Sequence, residues 1–268
     1  MGEIRTITEK YFIDGHSLEA VRFEARDSAL PTIVMLHEGL GSVSHWKDFP
    51  SRLADDTGAA VFVYSRYGHG GSDCLQEPRS VSYMHHEAQI VLPEILRKAR
   101  IGRPVLLGHS DGASISIIYA GTFPDSLAGL ILEAPHVFVE DISVASIAEA
   151  REAYRKTDLP QRLARHHANA DSLFWGWNDI WLDPTFRNWN IESFLDHIRC
   201  PVLVIQGAQD QYGTTKQVNA IQTKIPSASA TILDNCRHAP HRDQCDSTLL
   251  AMRHFLSTTM KSHSYTRR

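Results

Sequence analysis

Ser110 lies in the stretch Gly108-His109-Ser110-Asp111-Gly112, a hydroxyl with a glycine two residues to either side. The run before it, Val105-Leu106-Leu107, is wholly apolar, as a buried central strand must be, and the apolar segment that follows to Ile118 has helical length. Strand, sharp turn and helix is the expected local structure. A serine at such a turn must adopt a strained backbone conformation, and small residues at its flanks let strand and helix approach closely. The hydroxyl then stands clear of the chain as a nucleophile. The Asp111 amide, in the first helical turn, points to where an oxyanion would form. Because a serine hydroxyl is a weak nucleophile at neutral pH, this chemistry needs an imidazole to take its proton and a carboxylate to orient that imidazole.

In this setting the motif resembles the nucleophile elbow of the α/β-hydrolase family, and the resemblance implies where the partners lie. After the apolar strand Pro201-Val202-Leu203-Val204-Ile205 comes a loop in which Asp210 matches the family's catalytic acid, although an Asp near a Gly also forms turns. After the last strand, which ends at Leu233, His238 matches the base, with His241 the second choice. The order Ser110, Asp210, His238 is the one this fold uses. The apolar strand ending at Leu36 leads into His37-Glu38-Gly39-Leu40-Gly41-Ser42, where the family keeps its second oxyanion donor. Counting from His37 makes Gly39 the match, with Leu40 the near alternative, and Glu38 stands where glycine is usual. Further on, Arg66, Gly68, Gly70 and Ser72 keep a family spacing, but Ser65 replaces its acid; this segment is read as structural. The resemblance requires no metal and no organic cofactor.

The elements that must position these residues follow from the hydrophobic pattern. Residues 1–30 alternate apolar and polar positions around Asp14-Gly15, which predicts antiparallel edge strands. Helices are expected over residues 46–57, stopped by Gly58, and over 80–100, kinked at Pro93. Repeated strand–helix–strand units predict an α/β fold, a mostly parallel doubly wound sheet of the α/β-hydrolase kind. Residues 137–198 contain no strand-like run and read as helices, including 146–155 and 161–168. They resemble the helical cap that the family inserts before its late strands, leaving 1–136 and 199–268 as the core. The cap carries Trp175, Trp177, Trp181 and Trp189, which either pack it onto the core or line an apolar pocket. Trp175, Trp177 and Trp181, with Glu38, Leu40, His109 and His136, are the candidate substrate-binding residues. Glu38 and His136 either reach the pocket or are locally satisfied.

At 268 residues the chain fits one α/β domain with a small insertion. Its formal net charge of −4 gives no electrostatic case for a nucleic acid or membrane partner, which leaves a small-molecule substrate as the expected partner and a homodimer open. The first fifteen residues carry scattered charges and no apolar core of signal-peptide length, so a cytoplasmic location is expected. Cys74, Cys200, Cys236 and Cys245 show no CxxC spacing and read as reduced thiols. The adjacent pairs His85-His86 and His166-His167 make poor joint metal ligands. The function expected is a serine hydrolase that cleaves a small carboxylic ester, lactone or thioester through an acyl-enzyme on Ser110. Carbon–carbon bond hydrolysis, cofactor-free oxygenation on the His–Asp pair and a ligand-binding receptor with little turnover are the alternatives on the same fold.

Overall fold

Two alternating segments, β1 (Thr6–Ile13) and β2 (His16–Phe23), form an antiparallel hairpin through Asp14-Gly15, as their period-two pattern predicts. The computed structural model describes residues 4–27 and 29–264; residues 1–3, residue 28 and residues 265–268, which fall within the predicted core, lie outside the described residues. The chain continues through β3 (Ile33–Leu36), α1 (Phe49–Thr57), β4 (Val61–Tyr64), α2 (Tyr83–His86), α3 (Leu92–Lys98), β5 (Val105–His109), α4 (Asp111–Thr122) and β6 (Gly129–Glu133). It then leaves the sheet for α5 (Asp141–Lys156), α6 (Leu159–Leu163), α7 (Ala170–Trp181) and α8 (Glu192–Leu195). It returns in β7 (Val202–Gly207), α9 (Thr215–Lys224), β8 (Ser229–Leu233), α10 (Pro240–Asp243) and α11 (Cys245–Ser264).

The strands form one sheet in the order β1-β2-β4-β3-β5-β6-β7-β8, antiparallel at β1, β2 and β4 and parallel from β4 onward. Helices cover both faces, so the inner strands are buried at every position and mostly apolar. Successive side chains still go to opposite sides. Ile33, Met35, Val105 and Leu107 pack toward α1 and α11, whereas Val34, Leu36 and Leu106 pack into the cluster with α3 and α4. Parallel register sets Leu36 beside Tyr64 and Gly108, and His109 beside Glu133. The strand ends therefore share one edge, and the loops after β3, β4, β5, β6, β7 and β8 all emerge there.

Helix α1 starts later than expected, at Phe49, and α5 runs longer, from Asp141 to Lys156, while two further helices depart from the expectation with an identifiable cause. The predicted helix over 80–100 begins only at Tyr83, because the Ser80 hydroxyl accepts the Ser82 amide in a turn. Between α2 and α3 it passes through a π-helical turn, Glu87–Val91, with the Leu92 amide bonded to the Glu87 carbonyl. Pro93, lacking an N–H, leaves the α-ladder unclosed just beyond, which is the physical source of the irregularity. The helix expected over 161–168 spans only Leu159–Leu163. Beyond it the chain is held by tertiary bonds instead: His167 Nδ1 accepts the Gly70 amide at 2.9 Å, and the Ala168 amide reaches the Gly70 carbonyl at 3.0 Å.

Candidate active site

Ser110 joins β5 to α4 at φ 53° and ψ −116°, the strained conformation its motif predicts. Its flanking glycines are set by contact: a Cβ on Gly108 would lie 2.3 Å from the Gly112 carbonyl oxygen, and one on Gly112 would lie 2.1 Å from that of Leu36. Any side chain at either position would force strand and helix apart.

Residues from three loops then meet. His238 Nε2 lies 2.9 Å from Ser110 Oγ, and its Nδ1 lies 2.9 and 2.8 Å from the two carboxylate oxygens of Asp210. Since a carboxylate only accepts, the proton sits on Nδ1 and Nε2 offers its lone pair to the serine hydroxyl. Asp210 is buried and fully engaged. Oδ1 accepts the Tyr212 amide at 2.8 Å, and Oδ2 accepts Gln206 Nε2 at 2.7 Å. Burial pushes its carboxyl upward, but the His238 ring, the Tyr212 amide and nearby His136 outweigh that and hold it below the usual aspartate value. His238 is also held through its backbone, whose carbonyl accepts His109 Nε2–H at 2.7 Å.

The serine opens on a cavity of about 360 Å³. Glu38, Gly39, Leu40, His109, Ser110, Asp111, His136, Trp177, Trp181 and His238 all line it, joined by Ile147, Leu159 and Leu163 from α5 and α6. Asp210 stands behind His238. His136 sits with its ring 5.3 Å from Trp181 and 5.7 Å from His238; burial and the neighbouring His238 hold it below the ordinary histidine value. Among the described residues no protein acceptor takes the amides of Gly39 and Asp111, whereas the Leu40 amide donates to the Glu38 carboxylate.

Two candidates lie elsewhere. Trp175 is outside the cavity, with the Arg151 and Arg155 guanidinium groups 5.9 and 5.4 Å from its ring and Phe174 against its edge. On α7 it is two residues from Trp177, roughly 200° around the helix, while Trp177 and Trp181 share a face. His241 is buried against Trp46, and its Nδ1 bonds the Glu133 carboxylate at 2.7 Å. It therefore lies apart from Ser110. Sequence reasoning had not singled out Gln211, Tyr212, Arg237 and Arg242, which also line the cavity. Their one signal was adjacency to Asp210 and His238.

A serine–imidazole–carboxylate chain at the C-terminal edge of such a sheet defines a class, and the chain belongs to the alpha/beta hydrolase family, whose model matches residues 33–249. It is 24% identical over 267 residues to a proline iminopeptidase of Saccharolobus solfataricus, covering 84% of each chain. The crystal structure of VinJ superposes with a TM-score of 0.77 at 21% identity, over 94% of this chain and 99% of that one. The enol-lactonase from Burkholderia xenovorans LB400 gives 0.74 at 18% identity, over 93% of this chain and 100% of the other. The protein is accordingly an α/β-hydrolase with hydrolases as its relatives.

Proposed function

We propose that the protein is a serine hydrolase that cleaves a small carboxylic ester, lactone or thioester through an acyl-enzyme on Ser110. One observation carries this reading: the unbroken hydrogen-bonded line from Ser110 Oγ through His238 to Asp210, ending on an open cavity. His238 takes the serine proton during attack and returns it to the leaving group, while Asp210 fixes the ring's tautomer and stabilises its charged form. The Gly39 and Asp111 amides, unclaimed by protein acceptors among the described residues, hold the developing oxyanion. Leu40 is the poorer choice for that role, since its amide is already engaged by Glu38. Residues 137–198 act as the cap. Ile147, Leu159, Leu163, Trp177 and Trp181 make its wall apolar, which suits an acyl chain or a ring.

The test is direct. Ser110→Ala should lower p-nitrophenyl ester turnover by about 10³-fold or more, with the melting temperature retained, and a fluorophosphonate should label the wild type at Ser110. Unchanged turnover in Ser110→Ala refutes the reading. A panel of esters, lactones, thioesters, diketones and N-terminal prolyl amides then identifies the bond cleaved, the last because a relative is a proline iminopeptidase.

A further inference from the structure

We propose that Arg66 is the positioning residue of the oxyanion hole, acting from behind on both of its donors; the inference rests on the hydrolase reading above. Arg66 follows β4 and is only 2% exposed. Its guanidinium grips two successive carbonyls of the loop after β3: Nη1 donates to His37 at 2.7 Å and Nη2 to Glu38 at 3.0 Å. The Glu38 carbonyl and the Gly39 N–H belong to one planar peptide and point in opposite directions. Holding the oxygen therefore aims the amide.

That oxygen has two further donors, His37 Nδ1 at 2.7 Å and the Gly41 amide at 3.1 Å. The histidine is locked into this role because its Nε2 accepts the backbone N–H of Arg66 at 3.1 Å, which leaves its proton on Nδ1. A carbonyl that accepts three hydrogen bonds is fixed in plane, and the polarised peptide makes its own N–H a stronger donor. On the other side, Arg66 Nη2 lies 3.9 Å from Asp111 Oδ2, the oxygen that also accepts the Tyr83 hydroxyl at 2.5 Å. One buried cation thus holds the peptide that carries the Gly39 N–H and lies within ion-pair range of the Asp111 side chain. The planar fork is what allows this, for a lysine ammonium on a single stem cannot span two carbonyls and a carboxylate together.

The strand end that delivers Arg66 is braced as well. Ser65 Oγ accepts the Val43 amide at 2.9 Å and donates to Glu19 Oε2 at 2.8 Å, and that carboxylate also accepts the Gly71 amide at 2.9 Å. A glutamate from β2 thus supplies, through a serine hydroxyl, the negative charge that position 65 itself lacks.

The experiment is Arg66→Lys, assayed with p-nitrophenyl acetate and titrated with a trifluoromethyl ketone that forms a tetrahedral adduct on serine. The expected result is a fall in kcat on the order of 100-fold with KM changed less than about threefold, and a loss of ketone affinity matching the loss in kcat/KM. Unchanged ketone affinity in a folded variant overturns the proposal, as does a loss spread equally over kcat, KM and melting temperature, the mark of a merely structural residue. If Arg66→Lys does not fold, His37→Gln removes another donor from the same carbonyl and leaves the guanidinium in place. A selective loss of kcat there supports the proposal, and no loss, or a parallel loss in KM, overturns it. Wild-type turnover in the same assay tests the hydrolase reading separately: an inactive wild type removes both, while an active wild type with an unperturbed Arg66→Lys removes this one alone.

Discussion

At the scale of single residues, much of the site is determined by which ring nitrogen carries the proton. In His238 the proton stays on Nδ1, donated in a hydrogen bond to the Asp210 carboxylate, which leaves the Nε2 lone pair toward Ser110. In His109 the Nε2 proton goes to the His238 carbonyl. In His167 Nδ1 accepts the Gly70 amide, so Nε2–H donates to the Leu40 carbonyl at 2.9 Å. Each ring has one tautomer and joins two segments far apart in the chain. The tryptophans of α7 divide the same way by position. Trp177 packs on Gly39 so closely that a Cβ there would lie 2.2 Å from its indole nitrogen, while Trp175 lies outside the cavity among arginines. Trp177→Ala should therefore raise KM for an aryl ester on the order of 10-fold, and Trp175→Ala should leave it within about twofold, since only the first removes apolar cavity wall. Steady-state kinetics of the two variants side by side decides this. Equal effects would mean that the two faces of the helix do not differ for substrate.

At the scale of elements, the segment between α6 and α7 is the place where local propensity yields to tertiary bonding. Helical continuation past Leu163 is forgone because His167 bonds both the loop after β4 and the loop after β3. The chain resumes as α7 where the Asn169 side chain caps the Ser172 amide at 3.0 Å. Replacing His167 by Ala removes two hydrogen bonds, at a cost of about 1–3 kcal/mol for the groups left without partners. Local opening should follow, because this stretch has no helical ladder of its own. Limited proteolysis of His167→Ala should therefore show faster cleavage between residues 164 and 169 than in the wild type, mapped by mass spectrometry. A cleavage rate equal to the wild type's would show that the segment is held by other contacts. The π-turn before α3 is the opposite case, an irregularity that Pro93 announces in the sequence.

At the scale of the molecule, the buried histidines make stability depend on pH. His37, His69 and His109 are held well below the ordinary histidine value of 6.5, in each case first by burial and then by neighbouring arginines or histidines. Below about pH 6.5 the unfolded chain binds protons that the folded chain refuses, so stability is full above that pH and declines as pH falls toward the folded values. Each such group contributes a slope of about 1.4 kcal/mol per pH unit in this window, and three together about 4 kcal/mol per unit. Urea unfolding at pH 7, 6 and 5 should show the midpoint dropping steeply between the last two. A flat profile would mean that these rings are charged in the folded protein. Asp210 acts lower still: its depressed carboxyl contributes stability that is present above about 3.8 and is lost as pH falls through its folded value.

What the amino-acid order determines by itself is the part written in local pattern. Apolar runs bounded by glycine specify the buried strands, and the spacing around Ser110 specifies the turn at φ 53°. The order of Ser110, Asp210 and His238 follows once each is seen to come after a strand, because parallel register brings those strand ends to one edge. Only the tertiary structure decided between rivals that look alike in one dimension. His238 reaches Ser110, whereas His241 is held by Glu133. The Leu40 amide is engaged by Glu38, whereas that of Gly39 has no protein acceptor among the described residues. Arg66, which the pattern marked as structural, reaches carbonyls 28 and 29 positions away. Such choices rest on contacts between distant residues, whose distances and donor–acceptor pairings exist only after the chain has folded.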